Sequence, residues 1–206
     1  MHFNSKGALS LGLIAAAALS QAALNYNNVS AKVTFDGVNT IDMNVLIDGN
    51  SITFTSIPPM IVSTFGPPST AVIDISYDVT SQKGINGLDL IFTGMAFGNG
   101  NVGYNETVKD DADNVIASIS GNKSNEAFSV DDFLSFSNGA ETSYHVTKSF
   151  TLDLNGGNTL VHQLGVSQEP SGASIGLIEQ NAVPEPASMG ALAGGALGLR
   201  ARRSRK

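Results

Sequence analysis

The densest group of potential metal ligands in this chain lies between residues 110 and 114. Asp110, Asp111, Asp113 and Asn114 place four oxygen-bearing side chains within five residues, and closely spaced oxygen ligands are what calcium prefers. The segment lacks the glycine and the distal glutamate of an EF-hand loop. It therefore predicts either a calcium site of another kind or a solvated acidic loop.

The histidines are the other residues that could bind a metal or act as a base. His145 and His162 each lie in a segment that predicts a strand, so they are either two ligands on neighbouring strands or ordinary solvent-facing side chains. The chain has no G-x-S-x-G turn to present a serine nucleophile. Its 18 acidic residues give no basis for choosing a glycosidase pair. The sequence thus predicts no catalytic residue and no enzyme.

Aromatic rings that could stack on sugars are scarce, since the chain has no tryptophan and only four tyrosines. Tyr104 follows the glycine- and asparagine-rich stretch Phe97 to Gly103, which predicts a flexible hairpin loop. It is therefore the candidate for an exposed ring at a carbohydrate-binding surface.

The elements that must position these residues are strands. Residues 73–79 alternate strictly between Ile, Tyr or Val and Asp or Ser, which is the pattern of a strand with one buried face. Similar runs recur between turn signals such as Asp48-Gly49-Asn50. The final strand is predicted near residues 173–178, with a linker over 179–183. About nine or ten strands and no long helical pattern predict an all-β fold, an antiparallel jelly-roll-like β-sandwich, with a closed barrel as the alternative.

The N-terminus reads as a secretory signal peptide over residues 1–22. Lys6 supplies the positive charge, Leu9 to Leu19 form an apolar run too short to span a bilayer, and Ser20-Gln21-Ala22 offers small residues for cleavage. The signal segment is expected to be helical. Residues 23–182 then form the predicted β-sandwich domain.

The C-terminal tail, residues 183–206, combines three features. Pro184-Glu185-Pro186 cannot lie inside a helix, so this triplet is expected to be extended and accessible. The apolar stretch Ala187 to Leu199 suits a short transmembrane helix. A basic cluster then holds the end on the cytoplasmic side of the inner membrane. Its members are Arg200, Arg202, Arg203, Arg205 and Lys206.

This tail resembles the PEP-CTERM sorting signal of Gram-negative bacteria. The resemblance implies recognition by the membrane processing enzyme exosortase and cleavage near Pro184-Glu185-Pro186. It also implies release or attachment at the cell surface, often together with exopolysaccharide. It covers only the tail and does not extend to residues 23–182.

Charge and cysteine content exclude several function classes. Six of the eleven cationic residues lie in the two terminal segments, so the domain between them is strongly acidic. An acidic domain is unsuited to nucleic acid, which binds basic surfaces. The chain has no cysteine, which excludes disulfides, thiol nucleophiles and cysteine-based zinc sites.

Three functions are compatible with these observations. The favoured one is a non-enzymatic surface or matrix protein with an adhesive or structural role in exopolysaccharide and biofilm. The alternatives are a carbohydrate-binding module that depends on calcium and a secreted hydrolase. No cofactor is predicted apart from the calcium that the acidic segment could bind.

Overall fold

The computed structural model describes residues 23–55, 60–63, 69–154 and 171–184. Nine antiparallel strands run through these residues, which confirms the predicted all-β antiparallel class. They are β1 (Leu24–Phe35), β2 (Asn39–Asp42), β3 (Asn44–Asp48), β4 (Ser51–Thr55), β5 (Met60–Ser63), β6 (Thr70–Lys109), β7 (Val115–Ser135), β8 (Glu141–Leu154) and β9 (Gly172–Pro184). Within this described part of the chain, no helix has the length and apolarity needed to cross a membrane. The predicted signal helix and transmembrane helix lie outside it.

All nine strands belong to one continuous hydrogen-bonded sheet, because the long strand β6 pairs along its whole length; we call the two parts of this sheet the first sheet and the second sheet. The first sheet begins with β2, which pairs with β1. The other side of β1 pairs with the first part of β6, and residues 70–80 of β6 also pair with β8. The other side of β8 pairs with β6 residues 100–109. In the second sheet, β6 residues 85–97 lie between β7 and β9, and β9 pairs with β4 and β5. β3 is the outer strand beside β4.

Local irregularities carry the long strands from one layer to the other. The β6–β7 register shifts between Ala96 and Asn101, where Gly98 adopts a φ of 61°. Asn125 in β7 has a φ of 55°, a backbone conformation that asparagine tolerates better than most residues. Such bulges bend a strand and increase its twist, so a single hairpin contributes to both sheets.

Residues from the two layers meet in one core. The rings of Phe92 in β6 and Phe150 in β8 lie 5.1 Å apart in an edge-to-face arrangement. Phe54 in β4 stacks on Tyr77 in β6 at 5.9 Å. Alternation in β8 is strict, since every second residue from Tyr144 to Leu154 is buried. The packed aromatic and aliphatic side chains therefore leave one face of each sheet to solvent.

Two sequence predictions about segment boundaries were wrong. Phe97 to Gly103 is part of strand β6 with a bulge rather than a flexible loop. The linker predicted over residues 179–183 is a continuation of β9, which ends at Pro184. In both places glycine or polar side chains suggested a break, but pairing with β6, β7 or β4 keeps the backbone extended.

Candidate functional site

The outward face of the first sheet carries a row of polar side chains, which we call the polar trough. On this face, β6 residues 70–80 present their even-numbered side chains and β8 presents its odd-numbered side chains, opposite the buried core positions. The register pairs Asp74 with Ser149, Ser76 with Thr147, Asp78 with His145, and Thr80 with Ser143. The trough thus consists of hydroxyl, carboxylate and imidazole groups.

Two depressions lie along this row. The first, of about 330 Å³, extends from β1 across β6 and β8, with Lys32 and Asn105 at its sides. The second, of about 540 Å³, lies beside Asp78 and His145 and reaches the acidic turn at residues 110–114. The single aromatic residue lining either one is Tyr144, whose side chain belongs to the core at 2% exposure. The trough therefore offers a partner hydrogen-bonding groups rather than rings for stacking.

Asp78 is the best-connected carboxylate of the trough. Its Oδ2 accepts from Asn28 Nδ2 at 2.6 Å, and its Oδ1 lies 2.5 Å from His145 Nδ1. The hydrogen bond from Asn28 and then that from His145 lower the pKa of Asp78. Ser143, next to His145 on the same face, donates instead to Asp111 at 2.8 Å. The Ser143 hydroxyl is therefore directed to a carboxylate and not to the imidazole.

The predicted calcium segment forms a tight turn between β6 and β7. Asp110 accepts from the backbone N–H groups of Ala112 and Asn114, each at 2.9 Å, and from the Asn114 side chain. These bonds, with the Asn114 side chain as the largest contribution, lower the pKa of Asp110. Asp113 pairs with Lys109 Nζ at 2.8 Å.

Protein donors therefore satisfy the carboxylates of this turn. Asp110 caps its own backbone, Asp111 accepts from a serine, and Asp113 pairs with a lysine. Among the residues that the structure describes, no group of three or more Asp, Glu or His side chains is placed to hold a metal ion. The geometry gives the calcium hypothesis no support, and it stays a prediction.

Tyr104 lies in strand β6 and packs on the core. Its ring meets Phe92 edge-to-face at 4.9 Å, and it also covers Gly121 of the paired strand, where an added Cβ would collide with the Tyr104 ring. The prediction that Tyr104 stands in a loop was wrong, because residues 101–109 pair with β7 and β8. The half-buried ring belongs to the packing between the sheets.

The sorting residues are only partly within the described chain. Pro184 ends β9, half-buried and opposite Ile85 of β6. Glu185, Pro186 and the basic cluster lie outside the described residues, as does His162. The tail thus begins where the last strand of the second sheet ends.

A fully buried polar group was missed by the sequence predictions. Four residues form it, and we call them the buried quartet: Tyr77, Glu106, Lys148 and Gln180. Lys148 Nζ donates to Glu106 Oε2 at 2.8 Å, Gln180 Nε2 donates to Glu106 Oε1, and the Tyr77 hydroxyl donates to Gln180 Oε1. The exposed fraction of each residue is 2% or less.

Burial shifts the pKa values of two residues of the quartet. It lowers the pKa of Lys148, although the neighbouring Glu106 acts in the opposite direction. It raises the pKa of Tyr77 well above its ordinary value, with Glu106 adding to the effect. A signal for the quartet is present in the sequence, because Lys148 falls on the buried series between Val146 and Phe150. Gln180 had no such signal, since it lay in the presumed linker.

Comparisons with known proteins identify the tail. Residues 182–206 match the family model described as the PEP-CTERM protein-sorting motif, which confirms the resemblance seen in the sequence. The motif indicates an exported protein made as a C-terminally anchored precursor in Gram-negative bacteria and processed by an exosortase. No curated protein matches the chain.

Several solved structures resemble this chain at low similarity. TmCBM61 in complex with β-1,4-galactotriose is 10% identical, with 75% of this chain and 88% of that chain covered and a TM-score of 0.38. The family 11 carbohydrate-binding module from Clostridium thermocellum is 9% identical, with 81% and 92% covered and a TM-score of 0.26. A chain of infectious bursal disease virus, Gx strain, is 12% identical, with 72% and 34% covered and a TM-score of 0.38. At these identities and TM-scores the likeness supports no conclusion about this chain.

Proposed function

We propose that this chain is an exported, non-enzymatic protein of the cell surface or extracellular matrix, with an adhesive or structural role in exopolysaccharide and biofilm. Residues 1–22 act as the signal peptide, and residues 23–182 fold as a jelly-roll-like β-sandwich. Ala187 to Leu199 hold the precursor in the inner membrane as a short transmembrane helix. The observation that carries this proposal is the sorting motif at residues 182–206.

The polar trough supports contact with a hydroxyl-rich polymer. The two depressions along it extend over four neighbouring strand segments and are lined by serine, threonine, asparagine and aspartate side chains. Such groups donate and accept hydrogen bonds to sugar hydroxyls, and bridging water completes polar contacts of this kind. Because no exposed phenylalanine or tyrosine ring lines the trough, we expect weak binding at each site, which becomes useful when many sites bind one polymer.

The pairing of the trough residues supports a non-enzymatic role. Ser143 donates to Asp111, and His145 pairs with Asp78. Acyl transfer by a serine requires a serine hydroxyl within hydrogen-bonding reach of its base. Here the serine and the histidine are each directed to a different carboxylate.

The delivery part of the proposal is tested at the sorting motif. Replacing Pro184 and Pro186 by Ala in the full chain removes the residues that keep the triplet out of a helix. We expect the uncleaved precursor to accumulate in the inner membrane, detected by fractionation and immunoblotting. Normal release or surface attachment of this variant would contradict the proposal.

The polymer-binding part is tested by co-sedimentation of the exported protein with exopolysaccharide from a PEP-CTERM-producing strain. Thr147→Leu places an apolar side chain in the trough and removes a hydroxyl, whereas Ser129→Leu makes a comparable change at an exposed position of the second sheet. We expect Thr147→Leu to reduce sedimentation severalfold and Ser129→Leu to leave it unchanged. Equal binding by both variants would remove the trough from the proposal.

A further inference from the structure

The buried quartet has the composition and connectivity of a reactive centre rather than of a simple ion pair. It contains an amine (Lys148), a carboxamide (Gln180), a carboxylate that contacts both (Glu106) and a phenol on the carboxamide oxygen (Tyr77). The amine and the carboxamide nitrogen are bound to the two oxygens of the same carboxylate. All four side chains are enclosed, with Tyr77, Glu106 and Gln180 at 1% exposure and Lys148 at 2%.

We propose that Lys148 and Gln180 become joined by an isopeptide bond that links the two sheets of the sandwich. In this reaction Lys148 Nζ attacks Gln180 Cδ, the Nζ–Cδ bond forms, and the Cδ–Nε2 bond breaks. The carboxamide nitrogen leaves as ammonia. The reaction is an amide exchange, so it consumes no oxidant, reductant or activated donor.

Glu106 is positioned to move the protons of this reaction. Nucleophilic attack requires a neutral amine, and Glu106 Oε2 lies 2.8 Å from Lys148 Nζ, where it can accept the proton. Glu106 Oε1 accepts a hydrogen bond from Gln180 Nε2, so the same carboxyl group can deliver a proton to the leaving nitrogen. One side chain therefore serves as base for the amine and as acid for the ammonia that departs.

Tyr77 is positioned to stabilise the charge that develops on the acyl oxygen. Its hydroxyl donates to Gln180 Oε1, the atom that becomes negative when the amine adds to the carbonyl carbon. A donor fixed at this atom in a dry site lowers the energy of the tetrahedral intermediate. Since burial keeps the pKa of Tyr77 well above its ordinary value, the phenol keeps the proton that it must donate.

The surroundings favour the neutral form of the amine. Burial lowers the pKa of Lys148, because a low-dielectric site disfavours the ammonium. Strands from both sheets hold the amine and the carboxamide on the two oxygens of one carboxylate, which replaces a bimolecular encounter by a fixed geometry. Glu106 and Lys148 are direct cross-strand neighbours in the first sheet, whereas Gln180 comes from β9 in the second sheet.

The test is the intact mass of the full chain, expressed with its own signal peptide, purified and then denatured. The wild type is compared with Lys148→Met, because both undergo the same processing at their ends. The mass difference between the two proteins should deviate from that of the substitution alone by the mass of one ammonia, because only the wild type loses ammonia. Lys123→Met, which replaces a lysine at the surface, is the matched control and should retain the loss.

Peptide mapping then locates the loss. We expect a branched peptide that joins β8 to β9, with no tryptic cleavage after Lys148. This assignment is needed because four Asn-Gly sequences can also lose ammonia: Asn86-Gly87, Asn99-Gly100, Asn138-Gly139 and Asn155-Gly156. A loss mapped to those asparagines, or to the N-terminus, would overturn the proposal.

The variants of the assisting residues complete the test. Glu106→Gln should abolish the mass loss. Tyr77→Phe keeps the ring and removes the donor, so the mass loss should appear at least tenfold more slowly than in the wild type when chains recovered unfolded and unmodified are allowed to fold. If Glu106→Gln does not fold, the wild-type mass and the Tyr77→Phe time course still decide the matter. A folded wild-type protein that keeps the unmodified mass, with Lys148 cleavable by trypsin after denaturation, would overturn the proposal.

Discussion

Removing the charge of Glu106 tests whether Lys148 is a buried lysine that depends on one partner. Glu106→Gln preserves the size of the side chain and leaves Lys148 without its carboxylate, at 2% exposure. The useful comparison is between Glu106→Gln and the double variant Glu106→Gln/Lys148→Met. Neither variant can form the proposed crosslink, so the difference between their free energies of unfolding reports the effect of Lys148 alone.

The magnitude follows from the ionisation of that lysine. Burial without the carboxylate disfavours the ammonium, so the folded single variant holds a neutral Lys148 while the unfolded chain binds a proton below a pKa of about 10.4. Removing the proton from Lys148 on folding at pH 7 then costs up to about 4.6 kcal/mol, since each pKa unit corresponds to roughly 1.36 kcal/mol. Because the unfolded state binds more protons, the stability of the single variant rises with pH, and the cost falls to about 1.9 kcal/mol at pH 9.

Urea unfolding at pH 7, 8 and 9 measures this difference. We expect the double variant to be more stable than Glu106→Gln at pH 7 and the gap to narrow toward pH 9. The matched surface comparison is Glu126→Gln against Glu126→Gln/Lys123→Met, which should differ by less than about 1 kcal/mol because that pair is exposed to solvent. A gap that is absent at pH 7, or that does not change with pH, would refute the buried-charge reasoning.

Other predictions concern the tyrosines, the glycines and the acidic turn. Burial raises the pKa of Tyr26 to about 12. The contribution of this shift to stability is therefore complete below about pH 10, the pKa in the unfolded chain, and is lost as the pH rises toward 12. Tyr26→Phe should reduce this loss of stability at alkaline pH, measured by urea titrations. A Cβ at Gly100 would collide with the backbone oxygen of Gly172, whereas nothing lies within 4 Å of one at Gly103. Gly100→Ala should therefore cost about 2 kcal/mol or more and Gly103→Ala far less, and equal costs would argue against this packing. EDTA should leave the melting temperature unchanged, because protein donors satisfy the carboxylates of residues 110–114, and a lower melting temperature would revive the calcium hypothesis.

The proposed crosslink has a consequence for a protein held by its C-terminus. Gln180 lies in β9, whose last residue, Pro184, begins the Pro-Glu-Pro triplet. If the tail is attached at the surface, as proposed above, tension enters the domain through β9. A bond from Gln180 to Lys148 would transfer that tension to the first sheet.

The crosslink would also stabilise the fold by lowering the entropy of the unfolded chain. For a loop of about 30 residues this effect is roughly 3–4 kcal/mol, in a chain that has no cysteine.

Local patterns in the sequence were sufficient for some elements of the fold. Alternation in residues 73–79 predicted one buried face, and the structure buries Ile73, Ile75, Tyr77 and Val79. The acidic segment was predicted as either a calcium site or a solvated loop, and the structure forms a turn there in which Asp110 accepts from the backbone of Asn114. Its partners, Ser143 and Lys109, could not be read from the turn itself.

The sequence by itself determined the sorting tail, the all-β class and which face of most strands is buried. These features depend on composition, motif and a period of two residues, all of which are local. Only the tertiary structure decided that Glu106, Lys148 and Gln180 meet, because these residues lie on separate strands and their contact depends on register and on the packing of two sheets. The polar trough has the same origin: its residues are ordinary outward-facing positions until β6 and β8 pair.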